Sequence, residues 1–309
     1  MPLEPAEQHI VDARRAAIEE TIGTLHNHPW PIRTRAAALQ LDAIHGDWWG
    51  RYTAAPRSYA DDLARVNELA GWEGPFAAVT HVARNGTTYL APPKFFGGNV
   101  ARLAEQFVLA VSLNHATPST DKYLLELADL QARETCLVAH RDYFRQGYVH
   151  GRFFKPRATV LNAYAEGLGL DAPETWCMVN ERFSLYLERY PTLSANCKGA
   201  RAPHAVLEAE SFVMALNGLT HEVVLRLLRP RAILLAGQPT WGLLPAAGPV
   251  DVSARIRPSQ DPKCRVTVDH LGLGAGTPPA TVVRCNFLKT VHGPNSNAEL
   301  ARLGGLLAS

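Results

Sequence analysis

Two short segments, far apart in the chain, carry the residues whose types could do chemistry. Each is predicted to be an apolar strand followed by a polar loop that contains proline: residues 107–119 (FVLAVSLNHATPS) and residues 282–297 (VVRCNFLKTVHGPNSN). Loops at the carboxyl ends of strands in an open α/β sheet are where ligands bind. The first loop supplies Asn114 and the second supplies His292. The two segments together predict one site that uses an asparagine and a histidine.

These two side chains suit a hydrolysis in which bond breaking is well advanced before water attacks. The Asn114 amide is neutral and both donates and accepts hydrogen bonds, so it can orient a water molecule but is a poor base. A neutral His292 can donate a hydrogen bond to a developing oxyanion, which is most effective in a preorganised, water-poor site. Asn180, at the end of a predicted strand over residues 175–180, has the donor and acceptor groups needed to bind a pyrimidine edge.

The loop after His292 also offers backbone groups. Ser296 or Asn297 is predicted to cap a following helix. The amino terminus of such a helix favours a phosphate. The same loop is therefore a candidate site for a phosphate.

The elements that position these residues alternate along the second part of the chain. Strands are predicted at 107–113, 175–180, 231–236, 265–269 and 282–288, and helices at 121–134, 157–167, 204–228 and 296–307. Strands that alternate with helices indicate βαβ units and a mainly parallel sheet. Gly237 is predicted to make a tight turn after one of these strands.

The first hundred residues follow another pattern. Helices are predicted at 5–24, 34–45 and 58–70, and Asn85-Gly86 between two β-rich runs predicts a hairpin. We expect two parts: an α-rich extension with a hairpin over residues 1–100, and an α/β domain over residues 101–309.

Composition limits the class of protein. Hydrophobic residues make up 47% of the 309 residues, so a large core is expected, and the net charge of +2 confines any nucleic-acid surface to a local patch. No apolar run reaches the length of a membrane span and no signal-peptide core is visible, which predicts a soluble cytoplasmic protein with no membrane partner and no obligate protein partner. None of the five cysteines forms a C-x-x-C pair, so buried free thiols are expected.

Several cofactor motifs are missing. The sequence has no H-E-x-x-H, no G-x-S-x-G, no G-x-G-x-x-G and no Walker loop. We therefore expect no metal ion and no organic cofactor, and a serine hydrolase is disfavoured.

The order of these segments resembles the uracil-DNA glycosylase superfamily over roughly residues 105–305. That order is a strand with Asn114 and a proline loop, a strand with Asn180, the apolar run 232–237 (AILLAG), and a strand followed by His292-Gly-Pro-Asn-Ser. In that superfamily the first motif orients water, a middle asparagine reads the flipped base, and a histidine-containing loop enters the minor groove. The resemblance implies a three-layer α/β/α fold with a mainly parallel central sheet.

Carried over by position, the resemblance assigns roles to individual residues. Asn114 would orient water, His292 would stabilise the departing base and Asn180 would read that base. Further contacts to the base would come from Leu113, His115, Pro118 and the stacking aromatic Tyr123. The loop that inserts into DNA would be Gly293, Pro294, Asn295, Ser296 and Asn297. Two departures, Leu-Asn-His-Ala-Thr-Pro in the first loop and Gly293 where proline is usual, point away from uracil and towards a modified base.

Two basic stretches are further candidates for DNA contact. Residues 141–157 interleave basic and aromatic side chains and include Arg152, Lys155 and Arg157, and residues 189–204 include Lys198 and Arg201. Basic groups pair with phosphates while aromatic rings stack on exposed bases. The alternative is a packed surface loop whose rings face the core.

The sequence thus predicts a monofunctional DNA glycosylase that removes a modified or mismatched pyrimidine. The resemblance extends to bacterial enzymes that act against phages by removing glucosylated hydroxymethylcytosine. Three alternatives stay open: a catalytically inactive nucleic-acid-binding module of the same fold, a repair glycosylase for uracil or thymine mismatches, and a small-molecule hydrolase. Lys289, near the last loop, is the one candidate nucleophile for a lyase step. Asn114 as a helix cap and His292 as a surface histidine are the purely structural alternatives.

Overall fold

A computed structural model gives the conformation of most of the chain. It describes residues 3–54, 80–82, 88–90, 94–112, 137–138, 141–145, 151–189, 212–244, 248–257, 263–274, 276–290 and 292–309. The chain divides into two units that are discontinuous in sequence. Residues 1–95, 114–140 and 190–223 form the first unit, and residues 96–113, 141–189 and 224–309 form the second. The prediction had instead two contiguous parts that meet near residue 100.

Seven α-helices and nine strands lie in the described residues. The helices are α1 Pro5–Leu25, α2 Trp30–Ala54, α3 Gly151–Gly167, α4 Trp176–Phe183, α5 Phe212–Glu222, α6 Ser253–Ile256 and α7 Asn297–Ala308. The strands are β1 Thr80–Val82, β2 Thr88–Leu90, β3 Phe96–Gly97, β4 Val108–Ser112, β5 Ser184–Glu188, β6 Ala232–Ala236, β7 Val250–Asp251, β8 Val266–Leu271 and β9 Ala280–Cys285. A π-helical turn follows α5 (Val223–Leu228), and 3-10 turns cover Val100–Arg102 and Gln238–Leu243.

The first unit contains α1, α2, α5 and a hairpin. The predicted hairpin is confirmed, since β1 and β2 pair antiparallel with Thr80 opposite Leu90. A capping box at Glu4 starts α1, and Arg14 of α1 donates to Asp47 of α2 at 2.7 Å. The predicted helix over 58–70 lies outside the described residues.

The second unit contains one seven-stranded sheet in the order β3-β5-β4-β6-β9-β8-β7. The four central strands β5, β4, β6 and β9 are parallel, while β3, at one edge, and the β8–β7 pair, at the other, add antiparallel pairs. The expectation of an α/β protein with a mainly parallel central sheet is therefore confirmed. No helix in the described parts of the chain combines the length and the apolar character that crossing a membrane requires.

One predicted strand is wrong. Residues 175–180 begin helix α4, because the Thr175 side chain caps the free amide of Met178 and the apolar residues Trp176, Val179 and Phe183 follow a helical period. The strand that pairs with β4 is instead β5, which comes directly after this helix. The short apolar run at 175–180 is ambiguous in sequence, and the cap decides it.

Helices α3 and α7 pack closely on one face of the sheet. Gly304 makes this possible, since a Cβ on it would lie only 2.2 Å from the carbonyl oxygen of Val160. Every residue of β4, β6 and β9 is buried, so both faces of the central strands are covered. The core on the α3 side continues into α4, α6 and β8.

Candidate functional site

The carboxyl ends of four parallel strands lie along one edge of the sheet. Ser112 at the end of β4 pairs with Glu188 at the end of β5, and Ala236 at the end of β6 pairs with Cys285 at the end of β9. Asn114 is two residues beyond Ser112 in the sequence, and the loop with His292 follows Cys285. The two predicted strands therefore end at one edge, where ligands bind in open α/β sheets.

Seven of the predicted site residues lie outside the described residues. They are Leu113, Asn114, His115, Pro118, Tyr123, Lys198 and Arg201. Their assigned roles stay predictions.

The loop after β9 folds back on itself. The Thr290 hydroxyl donates to the Phe287 carbonyl at 2.7 Å, and Lys289 N donates to the Pro294 carbonyl at 2.8 Å. Gly293 is required there, because a Cβ on it would lie 1.9 Å from the Phe287 carbonyl oxygen. His292 next to it is exposed. The departure from proline at 293 thus has a steric reason, and the histidine stays accessible.

The predicted DNA-inserting loop is only partly accessible. Gly293 and Pro294 are buried, so the expectation that these two residues enter DNA is wrong for this conformation. Asn295, Ser296 and Asn297 are exposed. The accessible part is thus the segment that leads into α7.

The amino terminus of α7 already binds a carboxylate. Ser296 and Glu299 form a capping box, in which Ser296 accepts from Glu299 N and Glu299 accepts from the amides of Asn295 and Ser296. Arg257 also donates to Glu299 and to the Gly293 carbonyl. The side-chain hydrogen bond from Arg257, with the backbone amides, lowers the pKa of Glu299 to about 2. The predicted cap at Ser296 is confirmed, while a phosphate would have to displace Glu299.

The turn after β6 lies against the turn after β9. Gly237 has φ +100°, and a Cβ on it would lie 2.4 Å from Cζ of Phe287. The Cys285 carbonyl accepts from Gly237 N at 2.8 Å and from the Trp241 indole at 3.2 Å. Gly237 is a turn glycine, as predicted, and it also makes room for an aromatic ring.

Arg157 is buried rather than available to phosphate. Its residue is 1% exposed, and its Nη2 donates to the Ser112 hydroxyl at 3.2 Å. The other guanidinium nitrogens have no hydrogen-bond partner among the described residues, and the group lies 4.7 Å from the Phe153 ring centroid and 5.0 Å from that of Tyr186. The expectation that Arg157 contacts DNA is therefore wrong, because its position on α3 faces the sheet.

Sequence reasoning missed the residues around Arg157. Glu188 and Tyr186 lie on the same face of the sheet as Ser112. Burial, and then the charge of Glu188, raise the pKa of Tyr186 well above its usual value. Burial also lowers the pKa of Arg157, which its neighbours Tyr186 and Glu188 oppose. The sequence does carry a signal for this strand, since Ser-Leu-Tyr-Leu-Glu at 184–188 alternates polar and apolar residue types as a strand does.

The aromatic residues near this cluster pack on one another. Phe144 and Phe154 are buried, and their rings meet edge to face with centroids 5.1 Å apart. The part of the alternative in which these rings face the core is confirmed for Phe144 and Phe154, but Phe154 lies on helix α3 rather than in a loop. Arg152 and Lys155, in contrast, are exposed.

Asn180 does not lie at a strand end. It is a fully buried residue of α4, and its Nδ2 donates to the Trp176 carbonyl at 2.7 Å and to the Phe154 carbonyl at 3.1 Å. Both amide protons are thus used by the backbone. The predicted position of Asn180 at a strand end, on which its role as base reader rested, is therefore wrong.

Two cysteines of the second unit are buried free thiols, as expected: Cys264 and Cys285. Burial raises the pKa of Cys285 to about 12. Cys177 is only partly buried, and Cys136 and Cys197 lie outside the described residues.

Comparisons with known proteins give no assignment. No family model matches the chain, and searches of curated proteins and of solved structures found no significant match.

Proposed function

We propose that this protein is a monofunctional DNA glycosylase. It would hydrolyse the N-glycosidic bond of a flipped, modified or mismatched pyrimidine and leave an abasic site. One observation carries the proposal: β4 and β9, the strands before the two motif loops, are parallel and separated in the sheet only by β6. Both loops therefore begin at the same edge, and the resemblance to the uracil-DNA glycosylase superfamily requires this.

The proposed chemistry divides between two residues. His292, exposed in its loop, donates a hydrogen bond to the departing base anion, and such donors are typically worth about 10²–10³ in rate. Asn114 orients the water that attacks the sugar C1′. Lys289 donates to the Asn297 side chain at 3.3 Å, which supports simple hydrolysis rather than a lysine-dependent lyase step.

The three-layer arrangement of the superfamily is part of the proposal. Burial of both faces of β4, β6 and β9 supports it, as does the packing of α3 and α7 on one face. DNA would be bound by the exposed Arg152 and Lys155 and, as predicted from sequence, by Lys198 and Arg201. The expected partner is DNA, and the proposed reaction needs no cofactor.

The test is an excision assay with four duplexes. They carry uracil, a thymine mismatch, 5-hydroxymethylcytosine or glucosylated 5-hydroxymethylcytosine, and alkali then cuts any abasic site. We expect cleavage of one duplex, with excision lost in Asn114→Ala and in His292→Ala while DNA binding remains. Full turnover by both variants would remove the catalytic assignment. The duplex that is cut identifies the base and separates an anti-phage enzyme from a repair glycosylase.

A nucleic-acid-binding module without catalysis is the second candidate. It is favoured by the burial of Gly293 and Pro294 and by the use of Asn180 in α4, since these residues cannot then insert into DNA or read a base. Binding to a modified duplex without abasic products in any assay would support the module over the enzyme.

A further inference from the structure

Two arginines of the second unit share one carboxylate oxygen. Arg102 Nη1 and Arg145 Nε donate to Oε1 of Glu181, at 2.9 and 2.8 Å. The three residues come from three separate elements: the 3-10 turn Val100–Arg102, the segment 141–145 and the carboxyl end of α4. Together they form the arginine clamp, in which one carboxylate holds two guanidinium groups side by side.

The arginine clamp has an excess positive charge at an open surface. The Glu181 side chain is only 11% exposed, whereas those of Arg102 and Arg145 are 39% and 53% exposed. Neither guanidinium pairs with another carboxylate among the described residues, Glu105 and Asp142 included. One cation balances Glu181, so the charge of the second is uncompensated. Most of the N–H donors of both groups also remain available.

Stability alone does not require the second arginine. Exposed ion pairs contribute little to the free energy of unfolding, and two cations held side by side repel each other. A second anion on the solvent side of the two guanidinium groups would complete the compensation. A phosphate suits this place, because the planar fork of a guanidinium matches two phosphate oxygens.

Further basic side chains lie along α4, the helix that ends at the arginine clamp. Lys155 Nζ lies 5.8 Å from the centroid of the Trp176 ring at the start of α4, and Arg182 is exposed at its end. The helix has eight residues and is therefore about 12 Å long. Glu174 is exposed just before α4, so the excess of positive charge is greatest at the clamp. A row of cations of this kind fits a polyanion better than a single small ion.

We infer that Arg102 and Arg145 bind a phosphate of the DNA backbone, with Glu181 as the residue that positions them. The inference rests on the proposed function for the identity of the polyanion, and the resemblance assigns no role to these three residues. The arginine clamp lies where α4 leads into the amino end of β5, a strand of five residues that spans about 17 Å. The candidate site lies at the carboxyl ends of the strands. The clamp therefore holds DNA that flanks the excised nucleotide.

Binding of an unmodified duplex tests the arginine clamp without catalysis. Fluorescence anisotropy of a labelled duplex gives the Kd of the full-length protein across a series of salt concentrations. Arg102→Met and Arg145→Met should each weaken binding about threefold at low salt. Each should also reduce the slope of log Kd against log salt by about one, and the double variant should reduce it by about two.

Two further variants separate the arginine clamp from net charge. Arg255→Met is the matched control, because Arg255 is an exposed arginine of α6, which follows β7 at the opposite edge of the sheet from β3 and β5. It should bind DNA with the wild-type Kd and slope. Glu181→Gln makes the protein more positive but loses the carboxylate that holds the two arginines, and it should bind DNA more weakly. Thermal unfolding checks that each variant is folded.

The outcomes distinguish this inference from the proposed function. A wild-type Kd and slope in the folded double variant overturn the arginine clamp, even if the enzyme excises a base. A reduced slope in the double variant, with no excision from any duplex, supports the clamp and overturns the glycosylase.

Three other results would also overturn the arginine clamp as a DNA site. An equal loss in Arg255→Met, or tighter binding by Glu181→Gln, would show that net charge alone attracts DNA. Poly-glutamate that competes as well as unlabelled DNA of equal charge would assign the clamp to an acidic protein partner. A wild-type protein that binds no duplex would contradict the clamp directly.

Discussion

The two halves of the carboxyl edge differ in charge and in access to solvent. At the ends of β4 and β5, Ser112, Arg157 and Glu188 are buried, and two of them carry opposite charges. At the ends of β6 and β9, Phe287 and His292 are exposed. One sheet edge thus combines a buried charged cluster with an accessible loop.

The difference separates structural from chemical roles. Buried charges are costly, so the Arg157 guanidinium depends on its hydrogen bond to Ser112, on the charge of Glu188 and on the aromatic rings around it. The second half depends instead on close backbone contacts at Gly237 and Gly293. We therefore expect mutations in the first half to reduce stability, while a mutation of an exposed side chain in the second half should reduce function alone.

Loss of the buried cation should have the largest effect on stability. Arg157→Met removes a fully buried cation, its hydrogen bond to Ser112 and its electrostatic interaction with Glu188, and we expect this loss to lower the free energy of unfolding by about 3 kcal/mol. Urea denaturation of the full-length protein measures the change. Arg145→Met is the control, because the Arg145 side chain is 53% exposed and its bond to Glu181 should contribute less than about 1 kcal/mol. Equal losses in the two variants would contradict the comparison.

A side chain at position 293 should have the second largest effect on stability. Gly293→Ala places a Cβ against the Phe287 carbonyl, so the loop has to shift, and we expect a loss of about 2–3 kcal/mol in the free energy of unfolding. Gly305→Ala is the matched control on α7, where nothing lies within 4 Å of the added methyl. That change should stabilise the helix by up to about 1 kcal/mol. Full stability in Gly293→Ala would show that the backbone of this loop is not constrained.

The ion pair of Glu299 should make stability depend on pH. Its pKa is about 2 in the folded protein, below the usual 4.5, so the stabilisation is complete above pH 4.5 and is lost as the pH falls towards 2. Glu299→Gln should lower the free energy of unfolding by about 2 kcal/mol at pH 7, with a smaller difference from wild type near pH 3. A difference that stays constant between pH 7 and pH 3 would contradict the shift. Denaturation curves at several pH values measure it.

Removal of the exposed histidine should affect stability least. His292→Ala should change the free energy of unfolding by less than about 0.5 kcal/mol, as is usual for exposed side chains. Its excision rate should nevertheless fall about 10²- to 10³-fold. A large loss of stability would instead make His292 a structural residue and remove the contrast between the two halves of the edge.

Much of the fold was predictable from local patterns. The helix over 5–24, the antiparallel pairing of the two strands predicted to flank Asn85-Gly86 and the strand over 231–236 agree with the structure, because their periodicity acts over short distances. The cap at Ser296 is another local signal that the structure confirms. The candidate edge was also predictable in outline, since consecutive parallel strands end at the same side.

The errors concern contacts between residues distant in sequence. Arg157 was expected on the surface, but α3 turns it towards β4 and β5, where rings and Glu188 surround it. Asn180 was expected at a strand end, but the cap at Thr175 makes this segment helical. A basic residue in a basic stretch has no local signal of burial.

By itself, the sequence determined the alternation of strands and helices, the hairpin and the two strands that lead to Asn114 and His292. These features follow from side-chain periodicity and turn chemistry within a few residues. Only the tertiary structure decided that Arg157 is buried, that Gly293 admits no side chain and that the Phe287 ring fills the space above Gly237. Those outcomes depend on the packing of α3 and of the loops after β6 and β9. They therefore depend on contacts between residues that are far apart in the sequence.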